Sequence, residues 1–238
     1  MMLKSLKRQK CIALLIDPDN YVPDDILKLK GIKSEYGPDF IFIGGSLTSV
    51  HPDELIVKIK ENTDIPVVLF PGNLLQLSNK ADSLLFLSLI SGRNPDLLIG
   101  NHVIAAPHLK QMTIEIIPTG YILINCGAKT SVEYMSQTDA IPSSKSDIAV
   151  ATAMAGEMLG LKLLYLEGGS GASHPVPPEM IRAVREAVSV PLIVGGGLRT
   201  ASSIRETFNA GADLVVLGNG CEDDSSLLET ACRVRNGR

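Results

Sequence analysis

Residues 163–171 read LLYLEGGSG, a short apolar run followed by a glycine-rich turn. Two later segments, LIVGGG at 192–197 and LVVLGNG at 214–220, repeat the arrangement, and stretches with helical spacing follow all three. Glycine at the carboxyl end of a strand lets backbone N–H groups approach an anion, and the dipole of a following helix favours negative charge. In a (βα)8 barrel, phosphate commonly binds at the loops after the last two strands. The three segments therefore predict an α/β barrel with a phosphate site.

Length and composition agree with one barrel domain that spans residues 1–238. A hydrophobic content of 45% with 20% charged residues indicates a globular protein. The formal net charge of -4 argues against general nucleic-acid binding, which needs a basic surface. Trp is absent and aromatic residues make up 4% of the chain, so platforms for base stacking are not expected either.

The cysteines and the N-terminus indicate a reduced, cytoplasmic setting. No two of the four cysteines form a CxxC pair, and no His or Cys cluster has zinc-ligand spacing. A basic start precedes the apolar run 11–16, which Asp17 interrupts. Because this run is too short for a signal sequence or a membrane span, we expect a cytoplasmic protein.

Short apolar runs alternate with amphipathic stretches, as in βα units around a parallel sheet. Helices are expected to begin near Asp24, Asp53, Ile148, Pro178, Ala201 and Asp223. The expected strands are Cys11–Ile16, Phe40–Ile43, Val67–Leu69, Ser83–Leu87, Glu115–Ile124, Leu163–Leu166, Leu192–Val194 and Leu214–Leu217.

Three connections depart from a regular barrel. The segment between the third and fourth strands is short and contains Pro71-Gly72-Asn73, so an irregular or missing third helix is predicted. The polar segments 88–96 and 127–146 are long, and long loops at the carboxyl ends of barrel strands usually contact substrate or act as lids.

Asp17-Pro18-Asp19 closes the first strand, and small hydroxyl residues follow the second strand at 46–49. An isolated Asp-Pro-Asp often forms only a turn and a helix cap. A carboxylate beside a Ser or Thr hydroxyl is, however, a sensible partial shell for Mg²⁺, which takes phosphate oxygens and water as further ligands.

Alternation along the sixth strand places Tyr165 and Glu167 on one face and Leu166 on the other. If that face is the barrel mouth, the phenol and the carboxylate can bind a polyol and accept a hydroxyl proton. The alternative is a solvated Glu at a strand end. Arg199 fits either a phosphate contact or a surface salt bridge.

The four histidines lack metal spacing and are assigned structural or loop roles, with His174 beside the glycine turns. No Lys lies centrally in a strand as a Schiff-base residue would, and Cys126 has no obvious base nearby. Two other functions stay open: a sugar-phosphate isomerase or lyase, and a non-catalytic scaffold that binds phosphate or lipid. Asp17 and Glu167 together count against the scaffold, which needs neither.

Several motifs in order along the chain resemble geranylgeranylglyceryl phosphate synthases, a family that also includes bacterial heptaprenylglyceryl phosphate synthases. The motifs are Leu15-Ile16-Asp17-Pro18-Asp19, Ile43-Gly44-Gly45-Ser46, Phe70-Pro71-Gly72-Asn73, Tyr165 to Gly171, Val194 to Arg199 and Leu217-Gly218-Asn219. The resemblance implies a modified barrel whose third helix is replaced by a strand-like segment. The run 88–94 and the insert after the fifth strand look like the group II branch, which occurs in some archaea and Bacteroidetes-like bacteria.

The resemblance also implies a reaction: transfer of a prenyl group, most often geranylgeranyl, from its diphosphate to the 3-hydroxyl of sn-glycerol 1-phosphate. It implies that Asp17 and Ser46 bind Mg²⁺. The candidate catalytic residues are Glu167, Asp17 and Tyr165. The glycerol-phosphate contacts that it implies are Tyr165, Leu166, Glu167, Gly168, Gly169, Ser170, Gly171, Gly196, Gly197, Gly218 and Asn219.

An apolar groove for the prenyl tail is expected across the barrel top. Candidates for its lining are Phe70, Leu74, Ile99, Ile104 and Ile122. A homo-oligomer is expected from the resemblance, and transient membrane contact is expected because the product is amphiphilic.

Overall fold

The computed structural model describes residues 2–21, 36–127, 129–218, 221 and 226–237. Its strands, numbered in chain order, all pair in parallel. They are β1 (Cys11–Ile16), β2 (Phe40–Ile43), β3 (Val67–Leu69), β4 (Ser83–Leu89), β5 (Glu115–Asn125), β6 (Ile141–Pro142), β7 (Leu163–Glu167), β8 (Leu192–Gly195) and β9 (Leu214–Leu217).

The sheet closes on itself. Its order is β4-β3-β2-β1-β9-β8-β7-β5-β6, and β4 also pairs with β5. The two-residue strand β6 pairs only with the end of β5, so eight strands form the ring. This confirms the predicted (βα)8 barrel. Each predicted strand is present, and the differences are extensions at carboxyl ends, where Glu167 and Gly195 still pair with their neighbours.

The described helices are α1 (Met2–Leu6), α2 (Asp53–Asn62), α3 (Asn101–Leu109), α4 (Ser131–Ser136), α5 (Ser146–Met158), α6 (Pro178–Ala187), α7 (Ala201–Ala210) and α8 (Ser226–Arg235). Helix α5 begins two residues before the predicted Ile148, after a turn in which Lys145 donates to Pro142. The sequence reading missed α3 and the π-helical turn Asp96–Gly100 that precedes it. The helices predicted near Asp24 and Asp223 begin outside the described residues.

The connection between β3 and β4 holds a 3-10 turn at Leu74–Gln76 and no α-helix, as predicted. In a regular barrel a helix would cover the outer face of these strands. Leu84 and Phe86 of β4 point to that outer face and instead line a cavity. The missing helix therefore leaves room for a ligand between the sheet and α3.

The core has two layers, because successive strand residues face opposite sides of the sheet. Inside the barrel, side chains such as Phe42, Leu85 and Tyr165 pack together, and Met2 and Leu6 of α1 join them. The outer faces pack against the helices in two further clusters. Among the described residues, we find no helix with both the length and the apolar character needed to cross a membrane.

Candidate active site

One large cavity of about 1060 Å³ opens among the loops that follow the barrel strands. One side is polar and is formed by the loops after β1, β2, β7, β8 and β9. The other side, which we call the apolar arm, is lined by Leu74, Leu77, Leu84, Phe86, Leu97 and Ala105. The cavity thus joins a place for a charged group to a place for hydrocarbon.

Glu167 ends β7 on the polar side of the cavity, with only 7% of its surface exposed. Its Oε1 accepts a hydrogen bond of 2.6 Å from the backbone N–H of Gly169. Burial raises the pKa of Glu167, while the Tyr165 hydroxyl and the Gly169 N–H oppose the shift. Such a carboxylate is held in place and binds a proton more readily than an exposed one, as a general base requires.

Tyr165 lies below Glu167 in an aromatic cluster. Its ring centroid is 5.3 Å from those of Phe70 and Tyr121. Burial, and then the charge of Glu167, hold the pKa of Tyr165 well above its usual value, so its hydroxyl stays protonated. No hydrogen bond of ordinary geometry joins the two side chains, and the buried hydroxyl has no partner among the described residues.

The glycine turns beside Glu167 pack too closely for side chains. Gly169 has a φ of +94°, and a Cβ there would lie 2.1 Å from Cγ2 of Thr130. Gly196 has a φ of +88°, and a Cβ there would lie 2.6 Å from the Gly169 nitrogen and 2.9 Å from Oε1 of Glu167. These glycines let the backbones after β7 and β8 meet around Glu167.

Replacing Gly196 by alanine should therefore disturb the hydrogen bond between Glu167 and Gly169, and it should weaken binding of the glycerol phosphate that the sequence resemblance implies by at least about tenfold. Gly160→Ala is the matched control, since Gly160 also has positive φ, at +91°, but nothing lies within 4 Å of its added Cβ. It should cost about 1 kcal/mol of folding stability for the left-handed backbone and leave binding unchanged. Calorimetric titration with sn-glycerol 1-phosphate measures the affinity of each variant. Equal affinities in Gly196→Ala and Gly160→Ala would contradict this expectation.

The two carboxylates after β1 have different roles. Half-buried Asp17 lines the cavity, and its Oδ1 accepts from the N–H of Asp19 at 2.9 Å. Burial raises the pKa of Asp17. Exposed Asp19 instead accepts hydrogen bonds from both N–H groups of Ser49 and Val50, and so ties the β1 loop to the β2 loop. Only Asp17 faces the cavity.

Ser46 lines the same cavity as Asp17. Within the described residues, no group of three or more His, Cys, Asp or Glu side chains is placed to hold a metal ion. One carboxylate and one hydroxyl fit Mg²⁺, because this ion keeps several waters and shares ligands with substrate phosphates. They do not fit a metal that needs a cage made only of protein ligands.

The structure brings most of the other predicted contacts to the cavity wall: Gly169, Ser170, Gly171, Gly196, Gly197 and Gly218. Leu166 points away from it, into the outer core, and is fully buried there. Gly168 packs against Cys126 and donates its N–H to the Gly195 carbonyl, so it shapes the turn without lining the cavity. Asn219 lies outside the described residues.

Two exposed cations, Lys129 and Arg199, also line the cavity. Arg199 lies at the cavity wall, where it can contact a phosphate group; a surface salt bridge stays the other alternative. The Cys126 thiol is buried, and burial raises its pKa to about 12. It is therefore a packing residue and not a nucleophile.

The apolar arm differs from the predicted groove. Phe70 and Leu74 line the cavity, but Ile122 belongs to the outer core. Ile99 and Ile104 do not line the cavity and are 60% and 61% exposed. The π-helical turn and α3 instead line the cavity with a different stripe, Leu97, Asn101 and Ala105. Its spacing of four could have been recognised had the helix been predicted.

His102 of α3, for which a structural or loop role was predicted, also lines the cavity. It is buried, with Nε2 at 3.0 Å from Oγ of Ser88. No sequence signal pointed to His102 as a cavity residue, because it has no metal-ligand spacing and the helix that carries it was not predicted.

Comparison with known proteins agrees with this geometry. The model of the PcrB family matches residues 4–234. Geranylgeranylglyceryl phosphate synthase of Spirosoma linguale is 50% identical over 224 residues, which are 94% of this chain and 90% of the relative. The enzyme of the same name from Korarchaeum cryptofilum is 40% identical over 218 residues, which are 91% of this chain and 89% of that one.

A solved structure shows the same fold. It is that of (S)-3-O-geranylgeranylglyceryl phosphate synthase from Thermoplasma acidophilum in complex with sn-glycerol 1-phosphate. The TM-score is 0.88 at 33% sequence identity, and the match covers 99% of this chain and 95% of that one. The chain belongs to the PcrB family and is an enzyme of the prenyltransferase type found among the geranylgeranylglyceryl phosphate synthases.

Proposed function

We propose that this enzyme joins a prenyl diphosphate, most favourably geranylgeranyl diphosphate, to the 3-hydroxyl of sn-glycerol 1-phosphate and releases diphosphate. The observation that carries the proposal is the two-sided cavity, in which the buried carboxylate of Glu167 shares one space with a glycine-rich anion site and an apolar arm. A small polar phosphate ester and a long hydrocarbon fit these two sides.

The phosphate of glycerol phosphate binds at the backbone of Gly169 to Gly171, Gly196 and Gly197, close to the N-terminus of α7 at Ala201. Backbone N–H groups and the helix dipole both favour an anion there. The glycerol hydroxyls then reach Tyr165 and Glu167. Binding at both ends holds the 3-hydroxyl in one orientation, which lowers the entropic part of the barrier.

Glu167 accepts the proton of the glycerol 3-hydroxyl while the oxygen of that hydroxyl forms a bond to the first carbon of the prenyl group. The bond from that carbon to the diphosphate oxygen breaks, and its electron pair leaves with diphosphate. Tyr165 keeps its proton and donates a hydrogen bond to a glycerol oxygen. The apolar arm binds the tail and excludes water, which protects the allylic centre from hydrolysis.

Asp17 and Ser46 would hold Mg²⁺ in this account. The bound ion would supply positive charge for the departing diphosphate. Lys129 and Arg199, at the cavity wall, add further positive charge for phosphate groups. The same proposal places the enzyme in the cytoplasm as a homo-oligomer. It contacts a membrane only to release its amphiphilic product.

The pH profile should show an acid limb above the pKa of an ordinary glutamate, because burial raises the pKa of Glu167 and only its ionised form accepts a proton. Activity should therefore fall as pH drops through this raised value. Burial also raises the pKa of Asp17, but Mg²⁺ competes with that proton, so the Asp17 limb should move with Mg²⁺ concentration. Profiles of kcat at one subsaturating and one saturating Mg²⁺ concentration test this. The Asp17 limb should move between them and the Glu167 limb should not; a Glu167 limb at the ordinary glutamate value would contradict the expectation.

Release of diphosphate that requires both substrates tests the function and separates it from the alternatives. A sugar-phosphate isomerase or lyase would turn over a sugar phosphate without forming diphosphate. A scaffold would bind either ligand tightly without turnover.

A further inference from the structure

The polar insert after β5 contacts the glycine turn after β7 through the side chain of Thr130. A Cβ at Gly169 would lie 2.1 Å from Cγ2 of Thr130, so this methyl group packs directly on the Gly169 backbone. On the other side, a Cβ at Gly196 would lie 2.6 Å from the Gly169 nitrogen. Because glycine has little conformational preference of its own, contacts from outside decide where its N–H points. Gly169 is therefore held between Thr130 and Gly196.

A buried carboxylate behind Thr130 fixes the position of Thr130. This residue is the N-cap of α4 and forms a reciprocal capping box with Glu133, which is 7% exposed. Oε2 of Glu133 accepts from the Thr130 N–H at 2.9 Å and from the Thr130 hydroxyl at 3.1 Å. Oε1 accepts from the Ala140 N–H at 3.3 Å. Glu133 thus joins the backbone before α4 to the backbone after it, without lining the cavity itself.

We propose that Thr130 and Glu133 are positioning residues for the transfer: Glu133 fixes Thr130, and the Thr130 methyl group holds Gly169 where its N–H binds the Glu167 carboxylate. The inference rests on the proposed function and adds to it two residues that act through the base. The hydrogen bond from Gly169 to Glu167 measures 2.6 Å and orients the carboxylate that accepts the glycerol proton. Loosening Gly169 lets this carboxylate turn, and a misplacement of about 1 Å can cost on the order of 10²-fold in rate.

The same hydrogen bond gives these residues an effect on the pH profile. The Gly169 N–H opposes the rise in the pKa of Glu167 that burial causes. If Gly169 is released, the pKa of Glu167 rises further, so the acid limb of kcat should move to higher pH. Tyr121, Tyr165 and Cys126 face Glu167 but stay neutral in this range, because burial raises the pKa of all three. The charged side chains that line the same cavity are unchanged in the variants: Asp17, Lys129 and Arg199.

Two substitutions separate the methyl contact from the cap. Thr130→Ser removes the methyl group and keeps the capping hydroxyl, so kcat at neutral pH should fall about tenfold and the acid limb should move to higher pH. Glu133→Gln keeps the size of the side chain but turns an amide NH₂ toward a backbone N–H, so the limb should move in the same direction. Thr152→Ser is the control, since it also removes one methyl group and Thr152 does not line the cavity. It should change neither kcat nor the limb.

Parent and variants, each shown to be folded by thermal unfolding, are assayed across the acid range with Mg²⁺ and both substrates saturating. The inference requires the shift in both Thr130→Ser and Glu133→Gln. A shift in only one of them would overturn it, as would lower melting temperatures with an unchanged limb, and either result leaves the proposed function intact. If Glu133→Gln does not fold, Thr130→Ser decides, because its cap is kept. A parent enzyme that makes no product with any prenyl diphosphate removes the proposed function itself.

Discussion

Glu167→Gln should lower turnover by on the order of 10² to 10⁴ and, at neutral pH, raise the melting temperature. The amide can keep the hydrogen bond from the Gly169 N–H through its oxygen but cannot take the substrate's proton. Steady-state kinetics with both substrates give the first result. A rise in KM for glycerol phosphate with an unchanged kcat would leave Glu167 as a positioning group only.

The stability effect has a definite pH dependence. The folded-state pKa of Glu167 is raised by burial, so its ionisation costs stability as pH rises through that value. Glutamine carries no charge and avoids this cost. The variant's gain in melting temperature should therefore grow with pH and disappear in acid, where Glu167 is protonated in both states. Scanning calorimetry across this range measures it, and a gain that is independent of pH would contradict the burial argument.

Asp17→Ala should reduce Mg²⁺-dependent activity by on the order of 10³ while the protein stays folded, since a metal ion contributes several kcal/mol of charge stabilisation. Asp17 makes no ion pair within the described residues, and its hydrogen bond, to the N–H of Asp19, is local. Loss of the Asp17 carboxylate should therefore affect the chemistry of the cavity more than the stability of the barrel.

Asp19→Asn is the matched control, because Asp19 lies two residues away, also carries a carboxylate, and does not line the cavity. It should loosen the contact with Ser49 and Val50 and leave the Mg²⁺ requirement as it is. Titrating Mg²⁺ in the presence of diphosphate, by calorimetry, gives a readout that does not depend on turnover. Retained Mg²⁺ binding in Asp17→Ala would remove Asp17 from the proposed metal site.

The elements that could be predicted from sequence are those with a local cause. Strand alternation placed Tyr165 and Glu167 on one common face, although not which face that is, and the short segment between β3 and β4 left little room for a full helix. The resemblance placed Asp17 and Ser46 together, since the loops after adjacent parallel strands meet at the same end of a barrel.

Other features depend on contacts between distant parts of the chain. Nothing local shows that Asp19 binds the 49–50 backbone whereas Asp17 faces the cavity. The polar run before Pro95 concealed the start of the π turn and α3, so the face of α3 that lines the arm, and His102 with it, was missed. For Leu166 the two kinds of prediction disagreed: the resemblance made it a substrate contact, whereas strand alternation placed it on the opposite face from Glu167, and the structure follows the alternation.

The most direct measurement is transfer of label from radiolabelled sn-glycerol 1-phosphate into an organic extract, with purified protein, Mg²⁺ and prenyl diphosphates of graded length. The account predicts extractable label that requires both the diphosphate and Glu167, with the highest kcat/KM for geranylgeranyl diphosphate. No extractable label with any diphosphate, from protein shown to be folded, would contradict the proposed transfer.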